Sequence, residues 1–245
     1  YAQGPVASGL PSVIVSKFLR KKLLIKVVGD YAWEQAMGRG DTNTRIDDFQ
    51  KIKQNGFTGL LKKIERFTVK SAHRIIVPSR YLKSIVRGWD VIEKNITVIY
   101  NGVERQPDYR RVNKEYDTIV SMSRLVTWKG FAMLIDIMPE LMRQNPRFRL
   151  LILGGGPLED ELLLRIKELK MSEFIKIQKV MPRERDKILS EAKLFVLNTD
   201  YEGLSHALLE VMETGVPIIT TNVGGNSELI QDGKNGILLP FNNSK

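Results

Sequence analysis

Between residues 117 and 221 the sequence alternates five short, β-rich apolar runs with helical patterns, and this order constrains the fold more than any other feature. "DTIVSMS" leads to "KGFAMLIDIMPELMRQ", "FRLLILGGG" to "LEDELLLRIKELK", "IKIQKVM" to "RERDKILSEA" and "KLFVLNT" to "SHALLEVMETG"; "VPIITT" closes the series. Such alternation is the signature of a parallel sheet built from βαβ units. The first half offers a shorter version: "LLIKVVG", the helix "FTGLLKKIERFTVKSA", "RIIVPS", the helix "RYLKSIVRGW" and "ITVIYNG". It reads as part of a second open α/β sheet. The stretch between them, "NGVERQPDYRRVNKEYD", is polar and carries Pro107, which suits a linker. The expected organisation is a partial first domain over 1–103, a linker over 104–116 and a second domain over 117–245.

Length agrees, since 245 residues suffice for two ordinary domains of about 100 to 150 residues each. No stretch resembles a signal peptide, and no apolar run approaches the roughly 20 residues of a membrane-spanning helix. The expected location is therefore the cytoplasm, free or peripheral at the inner face of the membrane. The absence of cysteine excludes a disulfide framework and thiolate chemistry. The chain starts on Tyr1 and stops just after an apparent strand in "LLPFNNSK", so both ends are expected to be truncated. The net charge of +10 sits in the first half: residues 1–106 hold 19 Lys and Arg against 9 Asp and Glu, and the remainder is balanced at 19 each. A nucleic-acid module would interleave aromatics with these cations in a recognisable pattern, and none is present, so no nucleic-acid partner is expected. "VSKFLRKKLLIK" and "FTGLLKKIERFTVKSAHR" combine cations with Leu, Ile and Phe; an anionic membrane surface and a solvated helix flank both account for them.

Open α/β sheets bind ligands beyond the carboxyl ends of their strands. In the second half those positions hold Arg124 and Lys129 ("SRLVTWKG"), Gly154, Gly155 and Gly156 ("GGGPLED"), the stretch "NTDYEGLSH", and Gly224, Gly225 and Glu228 ("NVGGNSE"). Ser205 is a good N-cap, Gly215 and Pro217 supply a stop, and the helix between them aims its amino end at this edge, where free N–H groups favour an anion. Glu202 and Glu210 would repel that anion unless they accept hydrogen bonds from neutral hydroxyls on either side of it while Arg124 and Lys129 neutralise its charge. A diphosphate flanked by two sugars has that layout, and a nucleotide sugar is such a molecule.

"EGLSHALLE", with its E-x7-E spacing, and "GVPIITTNVGGNSELI" resemble the signature segments of retaining glycosyltransferases of the GT-B fold, family 4 type. "SRLVTWKG", "LLILGGGPLEDEL", "VMPRERDKILSEAKLFVLNTDYEG", "DGKNGILLP", "RIIVPSRYLKS" and "ITVIYNGVE" extend the resemblance over most of residues 71–240. It implies two Rossmann-like domains facing across a cleft. It also implies transfer of a sugar, with its anomeric configuration kept, from a nucleoside-diphosphate sugar to a lipid-linked, saccharide or cell-envelope glycan acceptor. By that resemblance Arg124 and Lys129 bind the diphosphate and stabilise it as it leaves, Glu202 faces the transferred sugar, and Glu210 holds ribose hydroxyls. The backbone of Gly203, Leu204 and Ser205 completes the cradle, while Lys179, Val180 and Met181 edge the nucleobase beside Gly154, Gly155 and Gly156. No protein carboxylate attacks the sugar. No metal or other cofactor is expected: Asp200 and Glu202 have a D-x-E spacing, but Arg124 and Lys129 already do the electrostatic work of a metal.

Many members of the family that the chain resembles carry a His at the end of a first-half strand where "KVVGDYAWE" has Val28. Asp30, directly after the Gly29 turn, is the first choice for the acceptor side, ahead of Tyr31, Trp33 and Glu34. His73 reads as structural and His206 as pocket lining. The alternative function is a nucleotide-sugar-binding protein of the same fold without catalysis. A dinucleotide-dependent oxidoreductase would need G-x-G-x-x-G after a strand, which "GGGPLED" does not provide.

Overall fold

The computed structural model describes residues 1–104 and 116–243, and every strand pairing among them is parallel. The chain divides into two units, Tyr1–Asn101 with Tyr201–Leu204, and Gly102–Asp200 with Ser205–Lys245. Most of the polar stretch read as a linker lies outside the described residues.

In the first unit β1 (Ala2–Gln3), β2 (Leu24–Lys26), β3 (Arg74–Val77) and β4 (Ile96–Val98) form a sheet in sequential order. Helix α1 (Gly9–Phe18) joins β1 to β2; α2 (Tyr31–Arg39), α3 (Ile46–Lys51) and α4 (Gly56–Lys70) lie between β2 and β3; α5 (Arg80–Arg87) precedes β4. Ile25, Val27, Ile75 and Val77 are buried together with Val69, Leu82, Val86 and Trp89. Helix α5 forms because Ser79 caps it and Leu82, Ile85 and Val86 fall on one face, so the apolar stripe covers the sheet. The sequence reading did not foresee β1, α1, α2 and α3. His73 is exposed at the amino end of β3, held through its backbone N–H to the Leu23 carbonyl.

The second unit contains β5 (Asp117–Met122), β6 (Phe148–Leu153), β7 (Ile175–Gln178), β8 (Leu194–Leu197), β9 (Ile218–Thr221) and β10 (Ile237–Leu239). Their spatial order is β10-β9-β8-β5-β6-β7. The connecting helices are α6 (Phe131–Gln144), α7 (Glu159–Glu168), α8 (Pro182–Ser190), α9 (His206–Thr214) and α10 (Asn226–Leu229). Neighbouring strand residues face opposite ways. Thus Ile119 packs with Leu134, Ile135, Leu162 and Ile166 of α6 and α7, whereas Val120 packs with Leu189, Leu208 and Val211 of α8 and α9. From β5 the chain builds outward through β6 and β7, then returns to lay down β8, β9 and β10 on the other side. The reversal makes the carboxyl ends of β5 and β8 a topological switch point, the place where open α/β sheets take ligands.

Candidate functional site

The loops after β5 and β8 flank the switch point. The loop after β5 carries Arg124, exposed with its guanidinium 5.7 Å from the Trp128 ring centroid, then Lys129 and Gly130 at the start of α6. Trp128 is buried, and its carbonyl accepts from the Asp200 N–H at 2.8 Å and the Thr199 hydroxyl at 3.2 Å. The two loops are thereby tied to each other at the sheet edge. After β8 the chain reaches Ser205, whose Oγ accepts from the Leu208 N–H at 3.3 Å and caps α9.

Helix ends distinguish where an anion belongs on this edge. The first turns of α6 and α9 contain no acid, whereas that of α7 contains Glu159, Asp160 and Glu161. Amino-terminal N–H groups favour an anion, and three carboxylates in the same turn cancel that preference. The amino ends of α6 and α9, on the two sides of β5 and β8, therefore carry no carboxylate that would oppose an anion.

Around them the other candidates of this unit fall at the same edge. Gly154 to Gly156 follow β6, and a Cβ on Gly154 would collide with the Ser123 carbonyl, so the loops after β5 and β6 touch backbone to backbone. Lys179 follows β7 and pairs with Glu159 at 2.9 Å across the Gly155 backbone. Val180 packs against the core beneath, while Met181, 74% exposed, precedes α8. Glu210 stands on α9 with Oε1 3.1 Å from Nη1 of Arg185 on α8. Burial raises the Glu210 pKa above the usual carboxylate range, and the Arg185 charge pulls it back. Gly224 turns at φ +52°, and Glu228 lies half-buried on α10.

Glu202, Gly203 and Leu204 belong to the first unit. The Gly203 carbonyl accepts from Ser79 Oγ at 2.6 Å, and a Cβ on Gly203 would lie 2.6 Å from the Val28 carbonyl and 2.7 Å from Leu82 Cδ1. The backbone passes so close to the carboxyl ends of β2 and β3 that only glycine fits. Leu204 is buried and Glu202 half-buried. Val28, in place of the expected His, is exposed.

Asp30 occupies a different place from the one expected of an acceptor-side residue. Its side chain caps α2, with Oδ1 accepting from the Trp33 N–H at 2.7 Å and Oδ2 from Gln50 Nε2 at 2.6 Å, and the residue is 1% exposed. Gln50 in turn accepts from Trp89 Nε1 at 3.0 Å. Buried Glu65 on α4 accepts from the Tyr31 N–H at 2.9 Å and hydrogen-bonds Asp30. Burial raises the pKa of both acids, and the neighbouring Asp30 charge adds to the rise at Glu65, which favours Glu65 as the donor in their hydrogen bond. The physical reason is local: a chain that turns at Gly29 straight into a helix needs an acceptor for free N–H groups, and Asp30 is it. Glu34 is the neighbouring acid at the edge, half-buried, with Oε1 2.6 Å from where a Gly29 Cβ would be.

Sequence reasoning missed Arg185, Glu65 and Ser79. A cavity of about 620 Å³ runs along α6 and β8, lined mainly by Met133, Ile137, Leu141, Val196 and Ile219. It is apolar and contains none of the candidate residues. Among the described residues no three His, Asp or Glu side chains gather as a metal site, and no helix is long and apolar enough to cross a membrane.

Comparison with known proteins adds independent findings. The sequence model of the family described as Glycosyl transferases group 1 matches residues 103–245, and that of Glycosyltransferase Family 4 matches residues 38–106. A GDP-mannose-dependent alpha-(1-6)-phosphatidylinositol monomannoside mannosyltransferase of Mycolicibacterium smegmatis is 33% identical over 147 residues, covering 54% of this chain and 38% of that protein. A poly(ribitol-phosphate) alpha-N-acetylglucosaminyltransferase of Staphylococcus aureus (strain COL) is 27% identical over 195 residues, covering 76% and 38%. The chain spans about a third to a half of the length of the curated relatives it matches. Among solved structures, Anabaena Alr3699/HepE in complex with UDP and glucose superposes with a TM-score of 0.75 at 18% identity, covering 95% of this chain and 61% of that one. The pneumococcal O-GlcNAc transferase GtfA, in complex with UDP and GlcNAc, gives 0.72 at 16%, covering 97% and 44%. The fold is GT-B.

Proposed function

Because the chain belongs to the glycosyl transferases group 1, we propose that the protein moves a sugar from a nucleoside-diphosphate sugar to a glycan or lipid-linked acceptor, with retention of configuration. The observation that carries this reading is the switch point. The Trp128 carbonyl ties the loop that carries Arg124 and Lys129 to the loop that leads into α9, and the first turns of α6 and α9 contain no acid, which supports this reading. In this reading a diphosphate bound there meets Arg124, Lys129 and the amino ends of α6 and α9, and Glu210 accepts from the ribose hydroxyls.

In this reading the protein supplies electrostatics and position, not a nucleophile. Negative charge grows on the leaving phosphate oxygen as the anomeric bond breaks, and Arg124, Lys129 and the α9 amino end stabilise it. The acceptor hydroxyl oxygen bonds to the anomeric carbon on the face from which the phosphate leaves and gives its proton to that phosphate oxygen, which keeps the configuration. Glu202 accepts from hydroxyls of the transferred sugar, and Gly203 and Leu204 shape its cradle. Lys179 and Met181 edge the base. Charge neutralisation by Arg124 and Lys129 leaves no role for a metal. The names of the two relatives carry a phosphatidylinositol and a poly(ribitol-phosphate), which supports an acceptor from envelope or lipid-linked glycan synthesis.

A cytoplasmic protein resting on an anionic membrane completes the reading. Helix α1 exposes Ile14, Val15 and Phe18, the last 86% exposed, and Leu19 follows them. Lys17 lies 5.2 Å over the Phe67 ring, and Arg20, Lys21, Lys22 and His73 line an adjoining cavity of about 440 Å³. Apolar side chains among cations suit an anionic bilayer surface.

The deciding experiment screens nucleotide sugars against the full-length protein for binding and for release of the nucleoside diphosphate. Binding with release, and product of retained configuration by NMR, is the expected result. Binding without turnover would reduce the protein to a nucleotide-sugar-binding one, and no binding would overturn the reading. Sedimentation with vesicles containing an anionic lipid, but not with neutral ones, tests the membrane surface.

A further inference from the structure

Glu210 has one ion-pair partner among the described residues, and that partner is itself anchored. Arg185 on α8 directs Nη1 to Glu210 Oε1 at 3.1 Å, while its Nε donates to Asp186 Oδ1 at 3.0 Å and its Nη2 lies 3.0 Å from the same oxygen. The side chains of Arg185, Glu210 and Asp186 are 23%, 20% and 8% exposed. One planar fork thus bridges two acids, which a lysine ammonium on a flexible stem does not reproduce.

The charged groups around Glu210 pull in both directions. Burial opposes its ionisation most, and Asp186 on α8 adds to that; Arg185 on α8 and His206 on α9 itself favour the carboxylate. Helix α10, also packed on α9, carries Glu228, which does not contribute to the Glu210 shift. A ribose offers two adjacent hydroxyl donors, and a carboxylate takes both only if it is ionised and correctly turned.

Resting on the donor reading, we propose that Arg185 is a positioning residue. It ties down Oε1 of Glu210 so that Oε2 and the remaining acceptor capacity of Oε1 face the ribose. Asp186 keeps the guanidinium from following the ligand. The nucleotide then binds without first ordering this side chain, and discrimination for ribose follows from the preset geometry.

The test compares UDP, GDP and ADP with their 2′-deoxy forms by calorimetry on the full-length protein, between pH 5.5 and 8.5, for wild type, Arg185→Gln and Arg185→Lys. Wild type is expected to prefer the ribonucleotide, and Arg185→Gln to lose about tenfold of that preference, one charge-assisted hydrogen bond's worth. Affinity in Arg185→Gln also fails at a higher pH as the solution is acidified, because Glu210 protonates more readily without its cation. KM for the donor rises more than kcat falls. Arg185→Lys, which keeps charge but not the fork, falls between the two and carries the test if the glutamine variant does not fold. Unchanged ribose preference and pH profile in the folded variants would overturn the proposal and leave a structural ion pair. Absence of nucleotide binding in wild type would instead bring down the donor reading, and this proposal with it.

Discussion

The two units share parallel βα architecture, yet the polar groups at the carboxyl ends of their strands are engaged differently. In the second unit the strand order reverses between β5 and β8, leaving room at the switch point for Arg124, Lys129 and the amino ends of α6 and α9. In the first, the order is sequential, and the side chains at strand ends serve the fold: Asp30 caps α2, Glu65 supports Asp30, and Ser79 holds both α5 and Gly203. A local βα pattern therefore says where polar side chains gather. Strand order and local N–H demand decide how far the protein's own backbone takes them up.

The largest effect should come from cations that look alike in sequence. Arg124→Ala or Lys129→Ala is expected to lower donor turnover about 10²- to 10³-fold, the scale of removing one charge-stabilising donor from a leaving oxygen. Melting temperature should barely move for exposed Arg124. Lys62→Met is the opposite case. Buried Lys62 donates to the carbonyls of Phe49, Gln50 and Ile52 at 2.7, 3.4 and 3.2 Å. Its loss should cost about 2 kcal/mol of stability by leaving those acceptors unmatched, with turnover per folded molecule retained. Kinetics and denaturation on both variants would break the contrast if Lys62→Met lost turnover or Arg124→Ala lost stability.

The acid pair of the first unit gives the next effect. Glu65→Leu strands the Tyr31 N–H and removes the proton donor of buried Asp30, at about 3 kcal/mol. Glu65→Gln keeps a donor and an acceptor in place and should be tolerated. Because the folded pKa of Glu65 is raised above its ordinary value near 4.5, the native state holds a proton that the unfolded chain gives up. The stabilisation is complete below that value and is lost as pH rises through the folded pKa. Urea denaturation across pH should show wild type weakening towards alkaline pH and Glu65→Gln doing so less; parallel profiles would mean that Glu65 is ionised in the native state.

Strands such as "FRLLILGGG" and helices such as "RYLKSIVRGW" were legible because apolar spacing is a local property, and the glycine and cation positions followed from it. Asp30 was legible as a polar residue after a turn but not as a cap. The clue, Asp30 opening a helix that Gly40 ends at φ +75°, is present in "GDYAWEQAMGRG", where an acid after a glycine turn fits a cap and a ligand contact equally well. Glu65 in "LLKKIERF" and Arg185 in "RERDKILSEA" look like solvated charges, since nothing local reveals that Asp30, 35 positions away, or Glu210, 25 away, supplies the partner. The assignment of Tyr201–Leu204 to the first unit depends likewise on Ser79, 124 positions from Gly203.

The smallest effect separates two serines that sequence cannot tell apart. Ser79 and Ser205 both follow a strand and cap the next helix, with Oγ accepting from Leu82 and Leu208 N–H at 3.0 and 3.3 Å. A cap alone is worth about 1 kcal/mol, which is the expected cost of Ser205→Ala. Ser79 also donates to the Gly203 carbonyl at 2.6 Å in a fully buried position, so Ser79→Ala should cost about 2 kcal/mol, cap plus orphaned carbonyl. The extra loss falls on the backbone that carries Glu202. If the Gly203 bond anchors that segment, Ser79→Ala should increase its amide hydrogen exchange over residues 201–204 while Ser205→Ala leaves it unchanged; equal costs and equal exchange would show that the first unit's strand ends do no more for the fold than those of the second.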